Sequence, residues 1–148
     1  MHRRALVFHF ATAIALAART PLAQAKGQYR ARLSVVPIDV AMQAAIAGSG
    51  AVTATLAGSR LAVSGTYSGL KSAATVARIH EGPKGIPGPP VFNLTVSGGT
   101  SGNISGTLTL SAEQAENLTK GRYYVQLHSE KAPDGNLRGW LLPLENRQ

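Results

Sequence analysis

Short segments in which apolar and polar residues alternate follow one another along most of this 148-residue chain. Residues 52–56 and 61–67 are two such segments, and the turn-forming residues Gly58, Ser59 and Arg60 stand between them. An alternation of period two predicts half-buried β-strands, and a short turn between two of them predicts a hairpin. Similar segments predict further strands at 30–35, 74–80, 91–96 and 104–110.

The segments between the predicted strands carry turn and loop signals. Residues 81–90 (EGPKGIPGPP) are so rich in glycine and proline that they predict a loop, and 97–103 predict a glycine- and serine-rich turn. Residues 41–47 (AMQAAIA) have a helical composition but are short, so a strand or an irregular edge segment is equally open. The repeated spacing of strands and turns indicates an all-β domain of about seven or eight strands.

One segment departs from the strand period and predicts a short helix over 111–119. Ser111 and Gln114 form a capping box, in which each side chain bonds the backbone amide of the other residue. Glu113 and Glu116 favour the positive end of the helix dipole, and Gly121 provides the stop. The expected architecture is therefore a β-sandwich or Greek-key barrel with one helix.

The N-terminal residues have the composition of a secretory signal peptide. Met1–Arg4 is basic, 5–18 is apolar, and Ala23 and Ala25 form an A-x-A cleavage pattern. We expect a signal peptide at 1–25, a single domain at 26–148, and export to the periplasm or the medium of a bacterium. The apolar run is too short to span a bilayer comfortably, which favours a cleaved signal peptide, and no integral membrane segment is expected after cleavage.

Charge and cysteine content narrow the function further. Without 1–25 the chain has 12 basic and 7 acidic residues, a net charge of +5, instead of +8 for the whole sequence. The bases are scattered singly and not interleaved with aromatics, which argues against a nucleic-acid partner. Cysteine is absent from the sequence, which removes thiol catalysis, cysteine-type zinc sites and disulfides.

The stretch 121–142 is the most informative part of the chain. It predicts a strand, a turn at Pro133 and Gly135, and a second strand with Arg138 and Trp140 on one face. Arg138 is either a structural clamp, whose donor fork holds several acceptors, or a site for a ligand carboxylate or phosphate. Trp140 could stack on a sugar or form the rim of the core with Tyr123 and Tyr124.

The order and spacing of six blocks resemble the CHRD domain, a family named for its occurrence in chordin. The blocks are 77–82 (ARIHEG), 90–94 (PVFNL), 105–107 (SGT), Leu110-Ser111-x-x-Gln114-x-x-x-Leu118, Gly121-x-x-Tyr124-Val125-x-x-His128, and Pro133-x-Gly135-x-Leu137-Arg138-Gly139; 29–33 matches more loosely. The resemblance implies a Greek-key β-sandwich that is immunoglobulin-like or similar to the copper–zinc superoxide dismutase barrel. The family's biochemical activity is largely undefined.

His80 and His128 stand in two of these blocks and are the candidate metal ligands. The resemblance implies a His-x-His pair in the first block, which many members of the family have. In this chain the first of the two positions is Arg78, whose positive charge opposes a bound cation. Two imidazoles lack at least a third copper or zinc ligand, for which Glu81, Glu130 or Asp134 are the local candidates. The structural alternative is that both histidines bond each other or backbone carbonyls.

No catalytic constellation emerges from the sequence. The chain beyond 25 has no G-x-S-x-G motif and only seven acidic residues, so hydrolase and glycosidase chemistry have no support. We expect no catalytic residue, no cofactor and no enzyme. The leading hypothesis is an exported binding or structural module with a protein or polysaccharide partner at the cell envelope. The alternative is a copper- or zinc-binding redox protein using His80 and His128.

Overall fold

The computed structural model describes residues 27–145, and the predicted signal peptide at 1–25 lies outside the described residues. Nine strands and one helix follow in chain order: β1 (Gly27–Val35), β2 (Ser49–Ala57), β3 (Arg60–Ser68), β4 (Ala74–Glu81), β5 (Pro90–Val96), β6 (Gly102–Thr109), α1 (Ala112–Thr119), β7 (Tyr123–Ser129), β8 (Ala132–Trp140) and β9 (Leu142–Pro143). None of the described helices is long and apolar enough to cross a membrane.

The strands close into an antiparallel barrel. Their order around it is β1-β2-β3-β6-β5-β4-β7-β8, and β8 pairs again with β1, so that eight strands form a closed ring. The two-residue β9 adds to β1 beside β8. The prediction of an all-β fold is confirmed, but the β-sandwich was wrong: β1 pairs with both β2 and β8, which leaves no open sheet edge between them.

The connections follow a Greek-key path. Strands β4, β5 and β6 are neighbours joined in sequence, whereas β7 returns across them to lie beside β4. That order, with three consecutive strands and a fourth beside the first, defines the Greek key. The consequence for the site is that β4 lies beside the hairpin of β7 and β8, although more than forty residues separate β4 from β7 along the chain.

Alternate residues of the strands fill the barrel. The inward side chains with at most 1% exposure include Leu33 of β1, Val52 of β2, Leu61 of β3, Ile79 of β4 and Ile104 of β6. Because successive side chains of a strand point to opposite faces, the intervening residues lie outside the barrel. The predicted hairpin of β2 and β3 is confirmed, with nine paired positions.

Helix α1 lies between β6 and β7 and has the predicted capping box. The Ser111 side chain accepts a bond from the Gln114 amide, and the Gln114 side chain accepts one from the Ser111 amide. Leu118 is fully buried, and the Asn117 amide donates to the Glu81 carboxylate of β4 at 2.9 Å. Leu118 and Asn117 thereby hold the helix on the barrel, and Leu118 belongs to the main hydrophobic core.

Two local predictions are settled differently. Residues 41–47 form neither a helix nor a strand: a turn, closed by the Ile46 amide on the Met42 carbonyl, covers most of this segment. The turn between β7 and β8 is at Glu130 and Lys131, so the prediction of a turn at Pro133 and Gly135 was wrong. Those two residues lie in an irregularity of β8 that shapes the candidate site.

Candidate binding site on the outer face of the barrel

Strand β7 is buried on both of its faces. All seven residues from Tyr123 to Ser129 are buried, although only every second one points into the barrel. An antiparallel strand that faces water usually alternates buried and exposed residues. The outward side chains of Tyr124, Gln126 and His128 are therefore covered by other parts of the chain.

The first cover is the loop 82–89 between β4 and β5, which is fixed to the barrel at Gly88. The Tyr124 hydroxyl donates to the Gly88 carbonyl at 2.9 Å and accepts from the Gly88 amide at 2.9 Å. The same carbonyl lies 2.9 Å from Nδ1 of His80. A Cβ at Gly88 would overlap the Glu81 carbonyl oxygen, so only glycine lets the loop come this close.

The second cover is the irregular part of β8. Leu127 pairs with Leu137 but Ser129 pairs with Ala132, so β8 has three more residues than β7 over this interval. The extra residues form a bulge that turns the Pro133 and Asp134 carbonyls towards β7. These carbonyls lie 2.8 Å from Nδ1 of His128 and 3.2 Å from Nε2 of Gln126, respectively.

The bulge depends on glycine. Gly135 has φ +134°, and a Cβ there would lie 2.8 Å from Nε2 of Gln126. A side chain at this position would therefore be strained and would push against the amide that the bulge itself holds.

Both histidines have one ring nitrogen engaged by a backbone carbonyl. A carbonyl only accepts, so Nδ1 carries the proton in each ring and Nε2 presents a lone pair. Nε2 of His128 lies 3.4 Å from the Gln126 amide nitrogen, whereas Nε2 of His80 is buried and has no hydrogen-bond partner among the described residues. The two rings are stacked with centroids 6.4 Å apart and do not bond each other.

The candidate third metal ligands do not join the histidines. Within residues 27–145 no group of three or more His, Asp or Glu side chains is placed to hold a metal ion. The Glu81 carboxylate is bonded to Asn117, while Glu130 and Asp134 are exposed. Burial lowers the pKa of His80, the Gly88 carbonyl acts in the opposite direction, and electrostatic interactions with His128, Arg138 and Arg78 lower the pKa further.

Arg138 and Trp140 pack against the outward side of β7. Nε of Arg138 donates to Oε1 of Gln126 at 2.8 Å, and the guanidinium carbon lies 5.4 Å from the centre of the Tyr124 ring, within cation–π range. The Trp140 ring is 4.7 Å from the Tyr124 ring, and its indole N–H donates to the Gly82 carbonyl at 3.0 Å. Both side chains remain half-exposed.

Arg78 lies on the other side of Gln126. The register places Arg78 opposite Gln126 on β7 and Gln126 opposite Arg138 on β8, so the two arginines flank one buried amide. Arg78 is half-exposed and also lines an open pocket of about 410 Å³ beside β5. Within the described part of the chain, the ion pair found joins Lys120 to Glu116 at the C-terminal end of α1 and does not involve Arg78.

The four predicted site residues thus stand on one face, made by β4, β7 and β8. Arg78, His80, His128 and Arg138 surround Tyr124 and Gln126 there. Sequence reasoning missed Gln126 and the two covering segments. The two covering segments could have been found from the glycine and proline content of 82–90 and 133–135, because these residues are typical both of turns and of places where one backbone segment lies close to another.

The barrel and this polar, arginine-flanked face define a small all-β domain. The CHRD domain model matches residues 29–141, and the chain therefore belongs to the CHRD domain family. No curated protein and no solved structure is similar enough to match this chain.

Proposed function

We propose that this protein is an exported, non-enzymatic binding module that holds an anionic group on the outer face of β4, β7 and β8. The observation that carries the proposal is the pair Arg78 and Arg138, which are half-exposed, flank Gln126 and have no acidic side chain within ion-pair distance among the described residues. A guanidinium fork fits a carboxylate or phosphate in two-point contact.

The surroundings support an anionic carbohydrate as the ligand. Trp140 offers a half-exposed ring beside Arg138, and its indole N–H is already satisfied by the Gly82 carbonyl. A ring held in this way is a rigid apolar platform, and the neighbouring guanidinium is the natural partner of a sugar carboxylate. The clamp role of Arg138 is compatible with binding, because only its Nε is used by Gln126.

The test is an NMR titration with galacturonate, with galactose as the uncharged match. The proposal predicts that galacturonate shifts the Trp140 indole N–H and the Arg138 Nε–H signals, whereas galactose does not. Arg78→Gln should weaken galacturonate binding by about tenfold, since a charged hydrogen bond contributes roughly 1.5 kcal/mol or more. Lys120→Gln, on the exposed end of α1, should leave it unchanged. Equal responses to both sugars contradict the proposal.

Metal binding at His80 and His128 is the second candidate, and one specific observation favours it. Each ring has its Nδ1–H on a backbone carbonyl, the arrangement that fixes metal-ligating histidines, and Nε2 of His80 is buried without a partner within the part of the chain that the structure describes. Against it stand two nearby guanidinium charges and a ligand set of only two imidazoles.

Elemental measurement of the purified protein separates the two candidates. Metal binding predicts one copper or zinc ion per chain, lost in His128→Ala, and an imidazole NMR signal that moves when either metal is added. If the NMR signals of both imidazoles stay unchanged when copper and zinc are added, the metal site is ruled out.

A further inference from the structure

Arg32 of β1 lies beside the candidate site although it is distant in sequence. Ser34 pairs with Arg138 of β8, and Arg30 pairs with Leu142 of β9, in one continuous register. That register sets Arg32 opposite Trp140. The backbones are close here, because a Cβ at Gly139 would overlap the Arg32 carbonyl oxygen.

The outward side chains of β1 therefore extend the arginine pair. Arg32 is a diagonal neighbour of Arg138, about 7–8 Å away across the strand pair. Arg30 follows two residues along the same face of β1, at roughly 7 Å. Arg30 and Arg32 also line an open pocket of about 670 Å³; its other residues are Ser49, Gly50, Ala51, Thr66, Tyr67 and Ser68.

The charges of the barrel wall are one-sided. Of the seven acidic residues of the chain, only Glu81 at the end of β4 and Asp134 in the bulge of β8 stand in strands. Glu81 is turned to Asn117 of α1. Strands β1, β2, β3, β5, β6 and β7 have no acidic residue, so no carboxylate on these six strands offsets the charge of the arginines.

We propose that Arg30, Arg32, Arg138 and Arg78 form one basic belt that binds an extended acidic polysaccharide, with Trp140 stacking on one of its sugar rings. The inference rests on the proposed function and names its ligand as a polymer. Arg78 and Arg138 are two strand spacings apart, roughly 10 Å, and the steps to Arg32 and Arg30 lengthen the belt further. A single sugar acid reaches only a part of such a row, whereas a chain with one carboxylate per sugar reaches all of it.

The wall beyond the belt favours a polysaccharide over a nucleic acid. Thr53, Ser64 and Ser105 stand opposite one another on β2, β3 and β6, and Thr53 is also opposite Arg30. These small polar side chains suit the hydroxyl groups of a sugar chain. Single-stranded nucleic acids are bound by several aromatic side chains on which successive bases stack. Beside the belt, Trp140 is half-exposed on the outer face, whereas Phe92, which lines a pocket with Arg78, packs against the core and the Tyr123 ring.

The experiment compares polygalacturonate with its monomer, galacturonate, by isothermal titration calorimetry at low salt. Arg30→Gln/Arg32→Gln changes the half of the belt outside the proposed monomer site, and Lys120→Gln/Arg122→Gln removes the same charge from exposed residues outside the belt. We expect the belt variant to lose at least tenfold in affinity for polygalacturonate and to bind galacturonate as the wild type does. The control variant should change neither by more than twofold. Uncharged dextran should not bind.

The outcomes distinguish the belt from the proposed function. If galacturonate binds but the two double variants affect polygalacturonate equally, the belt is wrong and the monomer site stands. If polygalacturonate binds no more tightly per carboxylate than galacturonate, the belt is again wrong. If neither binds, the proposed function fails as well. A single-stranded DNA that binds more tightly than polygalacturonate, with the same arginine dependence, overturns the polysaccharide as the ligand.

Discussion

Tyr123 and Tyr124 are adjacent in β7 and equally buried, at 1% exposure each, yet their hydroxyls have different partners. The Tyr124 hydroxyl bonds both the amide and the carbonyl of Gly88, and so holds the loop 82–89 on the barrel. The Tyr123 hydroxyl points to the other side, towards the Asn117 side chain, and meets hydrogen-bond geometry with none of residues 27–145. The burial of Tyr123, together with the Glu81 carboxylate, raises its pKa.

This pair gives a matched test of the loop anchor. Tyr124→Phe should lower the free energy of unfolding by about 1–3 kcal/mol, because the Gly88 amide loses its partner in a partly buried place. Tyr123→Phe removes an unpaired buried hydroxyl, so it should be neutral or slightly stabilising. Urea unfolding of both variants measures the difference. Equal losses in the two variants would show that the loop anchor contributes nothing specific.

His80 makes stability depend on pH at the residue scale. Its pKa is lowered in the folded protein, chiefly by burial. The hydrogen bond to the Gly88 carbonyl opposes this shift, and electrostatic interactions with His128 on β7, Arg138 on β8 and Arg78 on its own strand add to it. An unfolded histidine has a pKa near 6.5 and binds the proton more readily, so protonation favours unfolding. The stabilising contribution is therefore complete above about pH 7 and is lost as the pH falls through the folded pKa.

We expect the unfolding free energy to fall between pH 7.5 and 5, and to fall less in His80→Gln. Glutamine can still donate to the Gly88 carbonyl but does not titrate. Urea unfolding at a series of pH values checks the slope, and NMR titration of the wild-type ring should give a midpoint below 6.5. A midpoint at or above that value, or equal slopes in the two proteins, contradicts the prediction.

At the scale of elements, the sequence predicts those features of helices and turns that depend on residues close to one another along the chain. The capping box at Ser111 and Gln114 and the β2–β3 hairpin are confirmed because their partners are close along the chain. The turn at Pro133 and Gly135 was wrong because proline and glycine also suit a bulge, while the true turn, Glu130 and Lys131, has neither.

The cap of α1 can be tested separately from the barrel. Ser111→Ala removes the acceptor of the Gln114 amide and should lower the unfolding free energy by about 1 kcal/mol. Ser111→Gly should lower it by only a few tenths of a kcal/mol. Ser105→Ala, an exposed serine on β6, serves as the control and should stay within about 0.5 kcal/mol of the wild type. A Ser111→Ala loss no larger than this control would argue against the cap.

At the scale of the whole molecule, barrel closure could not be predicted from the sequence. Alternation correctly sets Arg138 and Trp140 on one face of their strand, because that pattern belongs to a single strand; the structure shows this face to be the outer one. The pairing of β4 with β7 depends on the Greek-key order of the strands. The pairing of β1 with β8 joins residues about a hundred positions apart. No local pattern specifies such pairings.

The barrel wall is not equally strong around its circumference. Strands β5 and β6 share two paired positions, Thr95 with Ser105 and Val96 with Ile104, whereas β2 and β3 share nine. Fewer ladder bonds hold the first seam, so it should open locally at a lower free energy than the second.

Native-state hydrogen exchange should therefore find the amides of Thr95 and Val96 at least tenfold less protected than those of Leu61 and Val63 in β3, a difference of about 1.4 kcal/mol or more in opening free energy. If opening at β5 and β6 is local, a low urea concentration should accelerate these four amides to different extents, the β3 amides more. Equal protection and equal urea dependence would show instead that the barrel opens only as a whole, and that the short seam is as strong as the long one.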